Sequence, residues 1–391
     1  MEGTIPMEIK KTWDDGRLKR HRLVLLQEQM RKRSIGAMYL TDTNLRYVLN
    51  MKIPGGQVFV PVEGEPIAFV QARDIRFVSS QHADTRPRLQ DGRSRSEGDD
   101  RSENYRPLGQ GIAALTTEHG VAGGLLGVDT LEIAAVLALQ EAGVRLVDGG
   151  PLVEQAGSVK TQDEVAIYRT IAQQYEHTLR AFRDAIRPGI SENELAGVVQ
   201  AAWYEAGGED ISQINVCSGP NMNPWQRWPT QRTLSDGEFV GIDLHARGAN
   251  GLRGDVSRTY FVGGEPTSEQ RDLYRRAYDY MQETASAIHA GQTYGDVLEA
   301  MPPVPAEFRV LLDNYAIFHG VGMSYAESPR VDHRTSKLDT VMRSNQVLSV
   351  ESYFGEEGSP LAVKLEQQIL VREDGPEVLG SGIPFDERFV G

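Results

Sequence analysis

Gly241-Ile242-Asp243-Leu244-His245, answered downstream by Gly254-Asp255, is the stretch from which the rest of the chain is read. Glu238 to Ile242 reads as a strand, Gly248-Ala249-Asn250-Gly251 as a turn and Asp255 to Phe261 as the returning strand, which makes a hairpin. A loop of odd length centred on Ala249 sets Asp243 opposite Asp255. Because side chains alternate with period two, it also keeps His245 on their face. A two-residue Asn250-Gly251 turn would send the two aspartates to opposite faces, so convergence of the three groups requires the odd loop or a bulge.

Working outward, Phe318-His319-Gly320-Val321-Gly322 offers a second imidazole, and a second hairpin follows it. Gln346 to Tyr353 is one strand, Gly355 to Pro360 a polar turn, and Ala362 to Val371 the return. An even loop makes Glu351 and Glu366 neighbours. Two carboxylates among Leu348, Val350, Leu365 and Ile369 repel and are poorly solvated unless a cation neutralises them. One such Asp or Glu alone is ordinarily a solvated strand-end residue, and one His ordinarily structural. Asp243, His245, Asp255, His319, Glu351 and Glu366 taken as a set read as a site for one or two divalent ions. Hard oxygens with imidazole nitrogen suit Mn, Fe, Co or Zn.

Composition agrees with a soluble enzyme. The 391 residues suggest two domains, and a 40% hydrophobic content is enough for real cores. No apolar run reaches the roughly 20 residues of a membrane helix. The opening Met1-Glu2-Gly3-Thr4-Ile5-Pro6 lacks a signal pattern, so cytoplasmic residence is expected. A single Cys217 excludes an internal disulfide and reads as a buried, inert thiol. The net charge of -14 argues against a nucleic-acid surface and for a small-molecule substrate. Arg17, Lys19, Arg20, Arg22 and Arg31-Lys32-Arg33 qualify this; with Leu23, Leu26 and Met30 they read as an amphipathic helix with a solvated basic side.

Punctuation along the chain gives the organisation. Strands are expected at Ala37 to Leu40, Gln57 to Pro61, Pro66 to Val70 and Gly124 to Val128, with helices near Asn44 to Leu49 and Leu131 to Glu141. Arg86 to Pro107 is polar and without apolar period, a surface loop by composition or a lid or subunit arm by its length. Small residues cluster from Gly149 to Ser158, which divides the chain into 1–152 and 153–391. A long helix is expected over Asp163 to Ile186. The capping boxes Ser191/Glu194 and Thr267/Gln270 start two more, running to about Glu205 and Ile288. Helices backing a curved antiparallel sheet make the second domain α+β, behind a smaller α/β unit.

In order and flanking words, Asp243, Asp255, His319, Glu351 and Glu366 resemble the metal ligands of the pita-bread family of methionine aminopeptidases, prolidases, aminopeptidases P and creatinases. Val159 to Glu164 resembles the opening of that family's catalytic domain. The likeness covers roughly residues 150 to 385, and the first part resembles the creatinase/prolidase-type N-terminal domain. The resemblance implies a pita-bread fold, a divalent-metal cofactor and a homodimer. It implies hydrolysis of a C–N bond through a metal-activated water, with Glu351 moving its proton and His319 or His245 polarising the bond. A member that has lost its metal would be a binding module, which retention of the ligands argues against.

The chain departs from the peptidase pattern at two substrate-binding histidines. Trp225 follows Ser218-Gly219-Pro220-Asn221-Met222-Asn223-Pro224 where one is expected, and Ala326 stands where the other would precede Glu327-Ser328-Pro329. Trp225 and Trp228, with Tyr325 and Tyr353 nearby, suit an aromatic wall for a sulfonium or quaternary ammonium head, worth about 0.5 to 2 kcal/mol. Packing of the loop by the tryptophans is the plain alternative. These words are most similar to the dimethylsulfoniopropionate-lyase branch of the family, which implies removal of a proton alpha to a carboxylate. That branch carries an Asp where this chain has His245, and a catalytic Asp where it reads Met323-Ser324-Tyr325-Ala326-Glu327. Tyr325 and Glu327 are therefore the candidates for the base.

Overall fold

The computed structural model describes residues 11–89, 102–226, 228–309, 315–324 and 326–390. The chain divides into two units, Asp14–Gly157 and Ser158–Gly391, with the described residues 11–13 grouped with the latter. Helix α6 below spans the expected boundary at 152/153. It buries Leu152, Val153 and Ala156, so the division falls after the helix rather than within it.

The N-terminal unit runs α1 (Asp15–Lys32), β1 (Ile35–Thr41), α2 (Asp42–Leu49), β2 (Gln57–Pro61), β3 (Ile67–Val70), α3 (Ile75–Ser79), β4 (Thr85–Pro87), α4 (Ser102–Glu118), β5 (Leu125–Val128), α5 (Ile133–Glu141), β6 (Arg145–Asp148) and α6 (Gly150–Gly157). Its strands form one mixed sheet in the order β4-β3-β2-β1-β5-β6. All residues of β2 and β3 are buried, as strands covered on both faces must be.

Two expectations change here. The segment 86–107 is only in part irregular: β4 takes its start and α4 its end. Leu108, Ile112 and Leu115 give α4 a buried stripe, and that burial extends the helix back through Pro107. Residues 90–101 lie outside the described ones. On α1, Arg22 leaves the basic face and is fully buried, its guanidinium 5.1 Å from the Tyr47 ring centre.

The second unit runs α7 (Gln162–Ala185), α8 (Glu192–Glu205), β7 (Asp210–Ser218), β8 (Phe239–Arg247), β9 (Arg253–Phe261), α9 (Ser268–Ser286), α10 (Tyr294–Ala300), β10 (Phe318–Gly320), β11 (Glu327–Val331), β12 (Val347–Phe354), β13 (Val363–Leu370) and β14 (Glu377–Leu379). Both expected capping boxes form, at Ser191/Glu194 and Thr267/Gln270. Strands β7-β8-β9 make one antiparallel sheet and β11-β10-β12-β13-β14 another. The sheets meet where β9 runs beside β13. Thr259 Oγ1 donates to the Lys364 carbonyl at 2.8 Å and accepts from its N–H at 3.1 Å, and Ser349 Oγ donates to the Asp255 carbonyl at 2.8 Å. Leu273, Tyr274, Ala277 and Met281 of α9 pack with Leu348, Val350, Leu365 and Ile369, so one side of the joined sheets is core and the other is left for the site.

The first hairpin is held from behind by α7. The Tyr175 hydroxyl donates to the Leu244 carbonyl and accepts from the Ala246 N–H, each at 3.0 Å, on either side of His245. Its ring reaches this position because residue 254 is glycine; a Cβ there would collide with the ring. Tyr175→Phe leaves a buried carbonyl and N–H short of a partner, an expected loss of about 1–3 kcal/mol. Thermal melting checks this, and an unchanged midpoint would show that the clamp contributes nothing.

Candidate metal centre

Strands β8, β9, β10, β12 and β13 deliver Asp243 and His245, Asp255, His319, Glu351, and Glu366 to one buried place. The first hairpin's loop is odd, as convergence requires, but its centre is Asn250. Arg247 pairs with Arg253, so His245 lies opposite Asp255, and Asp243 opposite Ser257. The shift has a local cause. Ala249–Gly251 forms a 3-10 turn with Asn250 at φ 54°, a left-handed conformation asparagine tolerates well. Parity is unchanged, so the three groups still share a face. In the second hairpin Glu351 is the direct partner of Glu366.

The donor atoms fall into two groups, Asp243 with His245 and Asp255, and Asp255 with His319 and Glu366. His245 Nε2 lies 3.3 Å from Asp243 Oδ1 and 3.2 Å from Asp255 Oδ1. His319 Nε2 lies 3.7 Å from Asp255 Oδ2, 3.5 Å from Glu366 Oε1 and 3.9 Å from Glu351 Oε1. The other ring nitrogen of His319 lies 3.1 Å from the Gly320 carbonyl, so Nε2 is the nitrogen that faces the carboxylates.

Lys364 was not among the site residues expected from sequence. Its ammonium is buried 3.2 Å from Asp243 Oδ2, 3.4 Å from Glu351 Oε2 and 3.3 Å from Glu366 Oε2, and it donates to Ser257 Oγ at 2.7 Å. Ser257 Oγ in turn lies 2.8 Å from Asp243 Oδ1 and 3.0 Å from Glu366 Oε2, with its one proton to donate to either. The protein therefore supplies part of the neutralising charge itself. Period two was the available signal, since Lys364 and Glu366 alternate onto one face.

Charge in this cluster is unevenly shared. Burial alone would lower the Lys364 pKa, but Asp243, Glu366 and Glu351 carry it well above the ordinary lysine value. Burial also opposes ionisation of Asp243 and Glu366, yet Lys364, aided by His245 for one and His319 for the other, holds both below the usual carboxylate range. Asp255 is driven well up by burial and by repulsion from Glu366 and Asp243, and Glu351 is raised by burial and by Glu366. Burial and mutual repulsion thus oppose ionisation of both carboxyls in the cluster. Asp255 Oδ1 and Glu366 Oε1 are buried and accept no hydrogen bond. Bare oxygens beside oriented imidazoles fit a divalent ion.

These groups floor a cavity of about 160 Å³ whose walls include Gln213, Asn215, Trp225, Tyr315, Ala326 and Arg330. Trp225 is thus at the site. Tyr353 stands behind it: its hydroxyl donates to the Met222 carbonyl at 2.8 Å, and its ring meets Trp225 and Tyr315 edge-on with centroids 6.1 and 5.0 Å away. Trp228 is not part of the wall; it is 66% exposed. Glu327 also turns away, accepting from the Ser324 N–H at 2.6 Å. A carboxylate already bound there is poorly placed to meet a substrate. Tyr325 lies outside the described residues. Arg330 enters because it pairs across strands with His319; neither it nor Tyr315 carried a local sequence signal.

Residues 166–373 match the profile of Metallopeptidase family M24. Dimethylsulfoniopropionate lyase DddP from Roseovarius nubinhibens is 28% identical over 291 residues, covering 72% of this chain and 64% of that protein. The matched stretch thus spans less than two thirds of that relative. Methionine aminopeptidase 1A from Arabidopsis thaliana is 24% identical over 268 residues, 61% of this chain and 67% of the relative. Among solved structures, the Xaa-Pro dipeptidase from Bacillus anthracis superposes with a TM-score of 0.76 at 22% identity, covering 94% of this chain and 99% of its own. The prolidase from Pyrococcus furiosus gives 0.73 at 19%, covering 91% and 99%. The second unit has the pita-bread α+β fold and is preceded in sequence by a smaller α/β unit.

Proposed function

Because this chain belongs to metallopeptidase family M24, we propose that it is a metal-dependent lyase for a small cationic carboxylate, splitting a dimethylsulfoniopropionate-type substrate into dimethyl sulfide and acrylate. The observation that carries this reading is the wall of the cavity. Trp225 and Tyr315 present aromatic surface, Arg330 a guanidinium, and Ala326 no imidazole. Its volume is well below the roughly 300–1,000 Å³ of pockets for larger ligands.

Asp243, His245, Asp255, His319, Glu351 and Glu366 would hold one or two divalent ions of iron, manganese, zinc or cobalt. An ion bound there supplies Lewis acidity. Arg330 holds the substrate carboxylate, and Trp225 with Tyr315 faces the sulfonium head. A general base of the site takes the proton from the carbon next to the carboxylate. The released electron pair forms the carbon–carbon double bond, and the carbon–sulfur pair leaves with sulfur. All these residues fall in the second unit, which we assign as the catalytic domain, with the first unit as the N-terminal domain.

Purified protein loaded with metal and incubated with dimethylsulfoniopropionate should release dimethyl sulfide into the headspace and acrylate into solution. No product, alongside turnover of Xaa-Pro dipeptides, would sink the lyase and leave the hydrolase. If the aromatic wall holds the cation, Trp225→Ala raises KM about 2- to 30-fold with a smaller change in kcat. An unchanged KM would remove Trp225 from substrate binding.

A further inference from the structure

We propose that Glu192 is a positioning residue for the cavity's aromatic wall: one buried carboxylate ties both ends of the loop that carries Trp225 and so sets where the indole stands. This rests on the substrate-facing role proposed for Trp225 and deepens it. Glu192 opens α8 and is fully buried, yet it does not line the cavity. Its Oε1 accepts from the Ser218 N–H at 2.8 Å, the Ser218 hydroxyl at 2.7 Å and Asn221 Nδ2 at 3.1 Å. Its Oε2 accepts from the Thr230 N–H at 3.0 Å and the Thr230 hydroxyl at 2.6 Å. Ser218 ends β7 and Thr230 lies beyond Trp225 and Trp228, so a single side chain holds the loop's entry and its exit.

Capping of α8 does not account for this carboxylate, because Ser191 and Glu194 already form the capping box there. Glu192 turns instead to the loop, and its hold reaches Trp225 from both sides. Before the indole, the Asn221 side chain rests on Glu192 while the Asn221 carbonyl accepts the Gln226 N–H at 3.0 Å, closing the turn that contains Trp225. After it, Thr230 is fixed on Oε2. The ring so placed fits closely: a Cβ at residue 241 would stand 2.9 Å from its Cζ3 and Cη2, so the indole edge rests on the glycine of β8, close to Asp243. A carboxylate offers acceptors alone, and all five partner groups donate. An amide in its place turns an NH₂ against the donors of one end of the loop, either Ser218 with Asn221 or Thr230, and releases that end.

Protein labelled with fluorotryptophan gives a fluorine NMR signal for each of its four tryptophans, assigned by replacing each in turn. Glu192→Gln should shift or broaden the Trp225 signal and leave in place that of Trp203, which is buried on the same helix α8. A merely structural carboxylate would lower the melting temperature with the Trp225 signal of the folded variant unmoved, and that result overturns the proposal. Thr230→Val, which removes one hydroxyl from the exit end, should move the same signal by a smaller amount, and it decides the matter if Glu192→Gln does not fold. With dimethylsulfoniopropionate, Glu192→Gln should raise KM about twofold or more with a smaller change in kcat, and in a Trp225→Ala background it should add nothing to KM. Equal rises in both backgrounds would overturn a role exerted through Trp225. A wild type that does not turn this substrate over would instead overturn the lyase reading, with the fluorine signals still deciding the role of Glu192.

Discussion

Asp255→Asn is expected to abolish turnover and to raise the stability of the metal-free protein, two effects of opposite sign from one substitution. Asp255 belongs to both donor groups, so its loss removes a ligand from each. With several kcal/mol of metal-derived transition-state stabilisation at stake, turnover should fall roughly a thousandfold or more. Without metal the same carboxylate is a liability, because burial and repulsion from Glu366 and Asp243 lift its folded pKa well above the unfolded value. The folded state then binds more protons than the unfolded one as pH climbs between the two values. Stability therefore falls with rising pH across that window. Asparagine has nothing to titrate, so the metal-free variant should melt above the metal-free parent at neutral pH, and added metal should no longer raise its midpoint. A variant whose melting still responds to metal as the parent does would remove Asp255 from the ligand set.

Lys364→Met should do the reverse. It takes the ammonium from the reach of Asp243, Glu351 and Glu366 and leaves those buried carboxylates with no lysine partner. Breaking a buried pair from one side costs about 3–5 kcal/mol. The metal-free variant should melt well below the parent, and metal should restore much of the loss, since a ligand at a hundred times its dissociation constant contributes about 2.7 kcal/mol. Melting curves with and without metal separate this from simple misfolding. If the metal-free variant is as stable as the parent, Lys364 is not the countercharge its distances suggest.

Much of the site was legible because strand periodicity is a local property. Alternation placed Asp243, His245 and Asp255 on one face for any odd loop, and put Glu351 beside Glu366 for an even one. The centre of the first loop was not legible to a single residue, because Ala249 and Asn250 compete for the turn and only the left-handed Asn250 decides between them. Trp225 and Trp228 are neighbours in sequence with opposite fates, one half-buried against Gly241 and Tyr353, the other exposed. Nothing in either residue's own chemistry distinguishes them. Glu327 is likewise placed by a contact its own chemistry does not announce: it accepts from a backbone N–H of the preceding turn.

From the sequence alone came the two hairpins, the helix starts and the kind of atoms gathered, because periodicity, capping and ligand chemistry act over a few residues. The tertiary structure alone decided which groups touch across separate strands. Lys364 among three of the carboxylates, Arg330 beside His319 and Tyr315 against Tyr353 all depend on the docking of one sheet edge or loop against another. No local pattern encodes that docking, because it comes from burial of residues far apart in the chain.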